Sequence, residues 1–112
     1  MDKKKYTTKE VKSNIKNYVS YLKKEHGLPI NRVYLYGSYA KGKERDWSDV
    51  DVCIISPKFK EVDSLSYLFD KLRRKDVRNL IEPIGFTPED LKNKYSTLIN
   101  EIKTTGVEIK DI

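Results

Sequence analysis

The chain has 112 residues, 38% hydrophobic and 36% charged, the length of one domain (expected over 1–112) and the composition of a soluble globular protein with a modest core. No apolar run is long enough to cross a bilayer and none follows Lys3-Lys4-Lys5, so neither a membrane span nor a secretory leader is expected; the lone Cys53 excludes an internal disulfide, and together these set the expectation of a cytoplasmic protein. The 23 Lys and Arg against 17 Asp and Glu give a net charge of +6, which attracts phosphates or acidic surfaces, but the basic residues are spread along the chain and single out no partner.

There is no internal repeat, low-complexity tract or linker. Thr7 followed by Glu10 forms a capping-box pattern, and Val11, Ile15, Tyr18, Val19 and Leu22 recur at helical spacing, so a first helix is expected to run to Gly27. His26, beside that stop and the only histidine, reads as a helix-end residue rather than a catalytic or metal-binding one. Arg32 to Tyr36 reads as a strand ending at Gly37, and a short helical turn is expected from Tyr39 to Lys43. Val50 to Ile55 makes a second strand. Leu65, Leu68, Phe69 and Leu72 predict a helix over about 63–75. Asn79 to Ile84 is a third strand, and Pro83 within it favours an edge or an irregular end. Thr87-Pro88-Glu89-Asp90 reads as the start of a helix whose stripe is Leu91, Tyr95, Leu98, Ile99 and Ile102 and whose end is Gly106; Val107 and Ile109 add a last short strand. The alternation predicts an α/β fold, a small mixed sheet flanked by helices.

The informative stretch is Gly37 to Asp51, GSYAKGKERDWSDVD. Asp49 and Asp51 lie two apart at the start of a strand, so both carboxylates point to one face. Such hard oxygen donors suit magnesium shared with substrate phosphates, whereas an isolated acid pair is as often solvated. Gly37, directly after a strand, permits a tight turn and close approach to a bulky anion, and Ser38 with the following amides can hold phosphate oxygens. Gly42 allows a second bend, and Lys41, Lys43 and Arg45 add positive charge. A glycine corner alone is common; followed ten residues later by two convergent acids, it offers a triphosphate cradle and a metal clamp on neighbouring elements.

These residues resemble a known family. Gly37-Ser38, ten residues, then Asp49-x-Asp51 is the signature of the polymerase-β-like nucleotidyltransferases, and Tyr39-Ala40-Lys41-Gly42 together with Ser48 resembles its minimal nucleotidyltransferase branch. The resemblance implies the corresponding fold over nearly the whole chain, with nucleotide binding by Gly37, Ser38, Lys41, Lys43, Arg45 and Ser48. It also implies a third carboxylate on a later strand, for which Glu82 is the candidate; the family position is often aspartate, and Glu82 is followed by a proline. Glu61, Asp63 and Asp76 are accounted for by helix or loop placement.

The implied chemistry is a two-magnesium displacement in which Asp49, Asp51 and Glu82 hold the ions, ATP is the substrate, and a hydroxyl attacks the α-phosphorus. Larger relatives carry domains that hold the acceptor; this chain shows none, and a partner is expected to supply it. Small proteins similar to this one act as antitoxins beside a HEPN-domain ribonuclease toxin, transferring AMP to a toxin tyrosine, in a type VII-like system. Two other readings stay open: an antitoxin that neutralises by binding alone, and a small-molecule transferase of the aminoglycoside kind. No aromatic-basic stripe or reader motif points to direct nucleic-acid binding. Trp47 reads as a base-stacking or a loop-packing residue, Tyr34 and Tyr36 as sheet packing, and Cys53 as a small core residue.

Overall fold

The computed structural model describes residues 5–112; Lys3 and Lys4 of the N-terminal lysine run lie outside the described residues. The chain runs through helix α1 (Thr8–His26), strand β1 (Arg32–Tyr36), helix α2 (Ser38–Lys41) and strand β2 (Val50–Ile55). Helices α3 (Ser64–Asp70) and α4 (Arg74–Arg78) follow, then strand β3 (Ile81–Phe86), helix α5 (Thr97–Thr105) and strand β4 (Val107–Glu108), with 3₁₀ turns at Pro57–Lys60 and Asp90–Lys92. The sheet order is β3-β2-β1-β4. Strand β1 is antiparallel to both β2 and β4, while β2 and β3 are parallel. The mixed sheet with flanking helices agrees with the α/β expectation, and Pro83 does lie in an edge strand.

Alternation along the strands divides the sheet into two faces. Val33, Leu35, Val50, Val52, Ile54 and Ile81 pack against the α1 stripe Val11, Ile15, Tyr18, Val19 and Leu22, and against Leu68 of α3. The opposite face carries Cys53 and Ile55, covered by Ile102 of α5 with Tyr34, Tyr36, Ile84 and Phe86 around them. Cys53 is therefore a core residue, and burial pushes its thiol up to about 12.

The ends of α1 form as expected. Thr7 Oγ1 accepts from the Glu10 N–H at 3.1 Å, Glu10 Oε1 accepts from the Thr7 N–H at 2.9 Å, and Gly27 closes the helix at φ 61°. His26 is engaged by Tyr21, with its Nε2 3.0 Å from the hydroxyl and the rings edge-on at 5.1 Å.

Three elements depart from the sequence reading. The single helix expected over 63–75 is two, because Arg73 adopts an extended conformation (φ −83°, ψ 163°) and restarts the helix as its N-cap. The side chain of Asp76 rewards that break. It accepts from the Arg73 N–H (2.9 Å), Nε (2.9 Å) and Nη2 (3.0 Å) while itself buried. Arg73 Nη2 also donates to Asn17 Oδ1 at 2.7 Å, and its guanidinium lies 4.4 Å from the Tyr21 ring centre, which fastens α4 to α1.

The second departure follows β3. Thr87 and Asp90 do make reciprocal side-chain caps, but they nucleate only the 3₁₀ turn. The helix starts anew at Ser96, whose hydroxyl accepts from the Ile99 N–H at 3.1 Å. Tyr95 of the expected stripe is instead 90% exposed. The third strand is also shifted, beginning at Ile81 because Leu80 takes a left-handed conformation (φ 61°).

Removing one partner of a buried ion pair strands the other, so Asp76→Ala should cost roughly 3 kcal/mol in urea unfolding. Val77→Ala next to it, at a side chain 58% exposed, should stay within about 0.5 kcal/mol. Equal losses for the two would show that the Asp76 contacts do not hold α4.

Candidate active site

The corner where β1, β2 and β3 meet α2 collects the acids. Asp51 pairs across the sheet with Tyr36 on one side and with Glu82 on the other. Asp49 lies just before β2, at the end of the loop that returns from α2. Between α2 and β2 the Ser48 hydroxyl accepts from the Arg45 N–H at 2.8 Å and the Ser48 N–H donates to the Arg45 carbonyl at 3.1 Å. This closed turn holds Trp47 at φ 68°, a conformation that costs a non-glycine residue about 1–3 kcal/mol.

Gly37 closes the corner from above. At φ 77° and ψ −152° it occupies a region open almost only to glycine. A β-carbon there would overlap Asp51 Oδ2 and lie 3.1 Å from its Cγ. The absent side chain is thus what lets the backbone entering α2 lie against a carboxylate. No side chain caps the first turn of α2, and Gly42 ends the helix at φ 69°.

The electrostatics follow from this crowding. Burial, then the charges of Asp49 and Glu101, push Asp51 from 3.8 up to about 6. Glu82 rises from 4.5 to about 7, first through the hydrogen bond it shares with Asp49, then through burial and the charges of Asp49 and Asp51. Tyr36 is likewise raised, by burial and by Asp51, Cys53, Glu82 and Glu101, which puts its phenol beside the same acids. Among the described residues no three acids, cysteines or histidines are already drawn into a metal cage. Three hard oxygen donors on one corner are nonetheless a donor set that suits a divalent cation.

The model of the nucleotidyltransferase domain family matches residues 15–110. The chain belongs to this family. The nucleotidyltransferase is also similar in fold to three solved structures. One is a putative nucleotidyltransferase from Sulfolobus solfataricus (18% identity, 88% of this chain and 78% of that one, TM-score 0.62). Another is a toxin-antitoxin with AMP-PNP (20% identity, 86% and 73%, TM-score 0.55). The third is a mutant of the toxin-antitoxin MntA-HpeT (15% identity, 86% and 73%, TM-score 0.52). No curated protein sequence matches the chain.

The remaining residues singled out from the sequence divide into groups. Ser38 is the first residue of α2, directly beyond Gly37. Lys41 ends α2 and pairs with Glu101 of α5 at 3.4 Å. Lys43 and Arg45 are exposed on the loop and make no ion pair with a described residue. Ser48 uses its hydroxyl as an acceptor inside the loop turn, which fixes the approach to Asp49. Sequence reasoning missed Glu101 and Tyr36. Glu101 lies 50 residues beyond Asp51 in a helix whose start was misplaced; the alternation in β1 could have found Tyr36, since it shares the sheet face of its cross-strand partner Asp51.

Both raised carboxyls bind protons more tightly in the folded chain than in the unfolded one, so they weaken the metal-free fold as pH rises from about 4 through 7. With EDTA present, the Tm advantage of Asp51→Asn over wild type should widen across that window. A constant or narrowing gap would contradict the crowding. Gly37→Ala should lower stability by at least about 1–3 kcal/mol through backbone strain, read by urea unfolding.

Proposed function

We propose that this nucleotidyltransferase is a magnesium-dependent antitoxin that transfers AMP from ATP to a tyrosine hydroxyl of a partner HEPN-domain ribonuclease toxin in the cytoplasm. The observation that carries this reading is the meeting of Asp49, Asp51 and Glu82 beneath Gly37. Two structures of similar fold are toxin-antitoxins, one of them with AMP-PNP, which supports both the nucleotide and the kind of partner.

Asp49, Asp51 and Glu82 would hold the magnesium, which when bound supplies Lewis acidity and neutralises phosphate charge. The residues of the chain do the positioning. Gly37 leaves Asp51 room against the backbone that enters α2, and Ser38 with the first-turn amides of α2 binds phosphate oxygens. Lys43 and Arg45 bring free positive charge to the same loop, and Lys41 joins them once phosphates compete with Glu101. In the transfer itself, the acceptor oxygen bonds to the α-phosphorus. The bond from that phosphorus to the oxygen bridging it to the β-phosphorus breaks, pyrophosphate leaves with the electron pair, and the phenolic proton passes to water.

The test is transfer from ATP labelled at the α-phosphate, with magnesium, to the HEPN protein encoded beside this chain. Wild type should label it at tyrosine, Asp49→Asn/Asp51→Asn should fall to background, and Glu82→Gln should lose on the order of a hundredfold or more in kcat. Toxin neutralised in full by the double variant would refute catalysis as the means of protection, and label reaching an aminoglycoside without the toxin would redirect the acceptor.

A further inference from the structure

Several of the basic residues that are spread along the sequence are gathered by the fold on one face of α1. Lys9, Lys12, Lys16 and Lys23 follow one another at intervals of three, four and seven residues, which sets them in a single helical stripe, and Lys24 flanks it. Val11, Ile15, Tyr18, Val19 and Leu22 occupy a different face and are buried in the core. All five lysines are exposed, and none makes an ion pair with a described residue. From Lys9 to Lys23 the row runs roughly 21 Å, at 1.5 Å per residue. Two clefts share Lys16 and so follow the row end to end. Thr8, Lys9, Lys12, Ser13 and Lys16 line one of about 640 Å³. Ser20, Lys23 and Lys24 continue the lining beyond Lys16 in the other, of about 330 Å³, together with Asp111 and Ile112.

A merely solvated helix face ordinarily sets acids three or four residues from its lysines. Here the pairs at that spacing are Lys9 with Lys12 and Lys12 with Lys16, like charges that weaken the helix. Glu10 is taken by the capping box, and Glu25, adjacent to Lys24, does not face it. The larger cleft is lined by ammonium and hydroxyl groups alone, all of them donors toward an anion. The occupant is therefore an extended polyanion. The exposed large apolar side chains, Trp47, Leu65, Phe69, Val77 and Tyr95, all lie outside α1. An acidic protein would find no anchor on this face, because lysine is depleted and aromatic residues are enriched where proteins bind each other. A membrane would receive no apolar group from it, and a single strand no ring on which to stack. The phosphates of a duplex need neither. The major groove of B-DNA, about 12 Å wide, admits a helix, whereas that of A-form RNA is too deep and narrow. Lysine meets phosphate as a point charge, so the backbone and not the base sequence sets the binding.

We propose that the lysine face of α1 is a docking surface for double-stranded DNA, held through its phosphates without regard to sequence. The surface is separate from the acids. Asp51 shares the sheet face of Cys53, which α5 covers, whereas α1 packs on the other face. Binding here and nucleotidyl transfer therefore stand or fall independently.

The experiment is fluorescence anisotropy of a labelled DNA duplex of about 20 base pairs titrated with the full chain. It is repeated with a second base sequence, with duplex RNA, with single-stranded DNA and with polyglutamate as competitor. Both DNA duplexes should bind alike, with Kd in the range of about 1–100 μM at 100 mM salt, and affinity should fall with salt along a log–log slope of about −3.5 to −4.5, as for four or five neutralised phosphates. Lys9→Gln/Lys16→Gln/Lys23→Gln should weaken binding roughly a hundredfold and flatten that slope by about 2.5. The same loss of charge elsewhere, in Lys75→Gln/Lys92→Gln/Lys94→Gln, should cost no more than roughly threefold. Asp49→Asn/Asp51→Asn should bind at least as tightly as wild type. Duplex RNA or a single strand held as tightly as duplex DNA would overturn the assignment, as would displacement by polyglutamate at matched charge. Equal losses in the two triple variants, weaker binding by the Asp49/Asp51 variant, or no binding at 50 mM salt would overturn it too.

Discussion

Like charges do not gather on one corner of a small sheet without something to hold them there, and here the holding is done by the backbone. The register of β2 against β3 sets Asp51 beside Glu82, and the loop turn closed by Ser48 delivers Asp49 to the same place. Gly37, lacking a side chain, allows α2 to start against Asp51. None of these depends on the side chains of the acids attracting one another. The repulsion is therefore met by a fold assembled elsewhere, chiefly by α1 and α3 packed on the opposite face of the sheet.

Legibility in the sequence followed the range of the determinant. Caps, periodicity and strand composition are local signals, and α1, β1 and β2 were readable from them; Thr7, Glu10 and Gly27 state where α1 begins and ends. The break at Arg73 was not, because its reward lies partly in Asn17 and Tyr21, some fifty residues away. Thr87 and Asp90 illustrate the opposite failure: a sound capping pattern that nucleates a single turn, which Ser96 then supersedes. The placement of Asp49 and Asp51 could be argued from a period of two. That Glu101 would reach the same corner depended on how α5 crosses the sheet, which no spacing expresses.

The acids also divide their surroundings by polarity. On the β1 side stand Ser38, Lys41 and the exposed cations of the loop; on the β3 side stand apolar walls. Lys41 is the most constrained of the cations, since Glu101 competes for it. That ion pair ties α2 to α5 across the open face, so the helix that bears Ser38 is braced from the end it does not share with the sheet.

Pro83 carries a consequence for assembly. An edge strand ordinarily offers a row of free donors and acceptors to any other exposed strand, its own copies included. In β3 the proline removes a donor midway along the row, and Ser64 Oγ, 2.9 Å from the Gly85 carbonyl, occupies an acceptor nearby. At the other margin β4 is only two residues long. The sheet therefore resists lengthening by strand addition, and a protein that binds along this side must be recognised through its side chains.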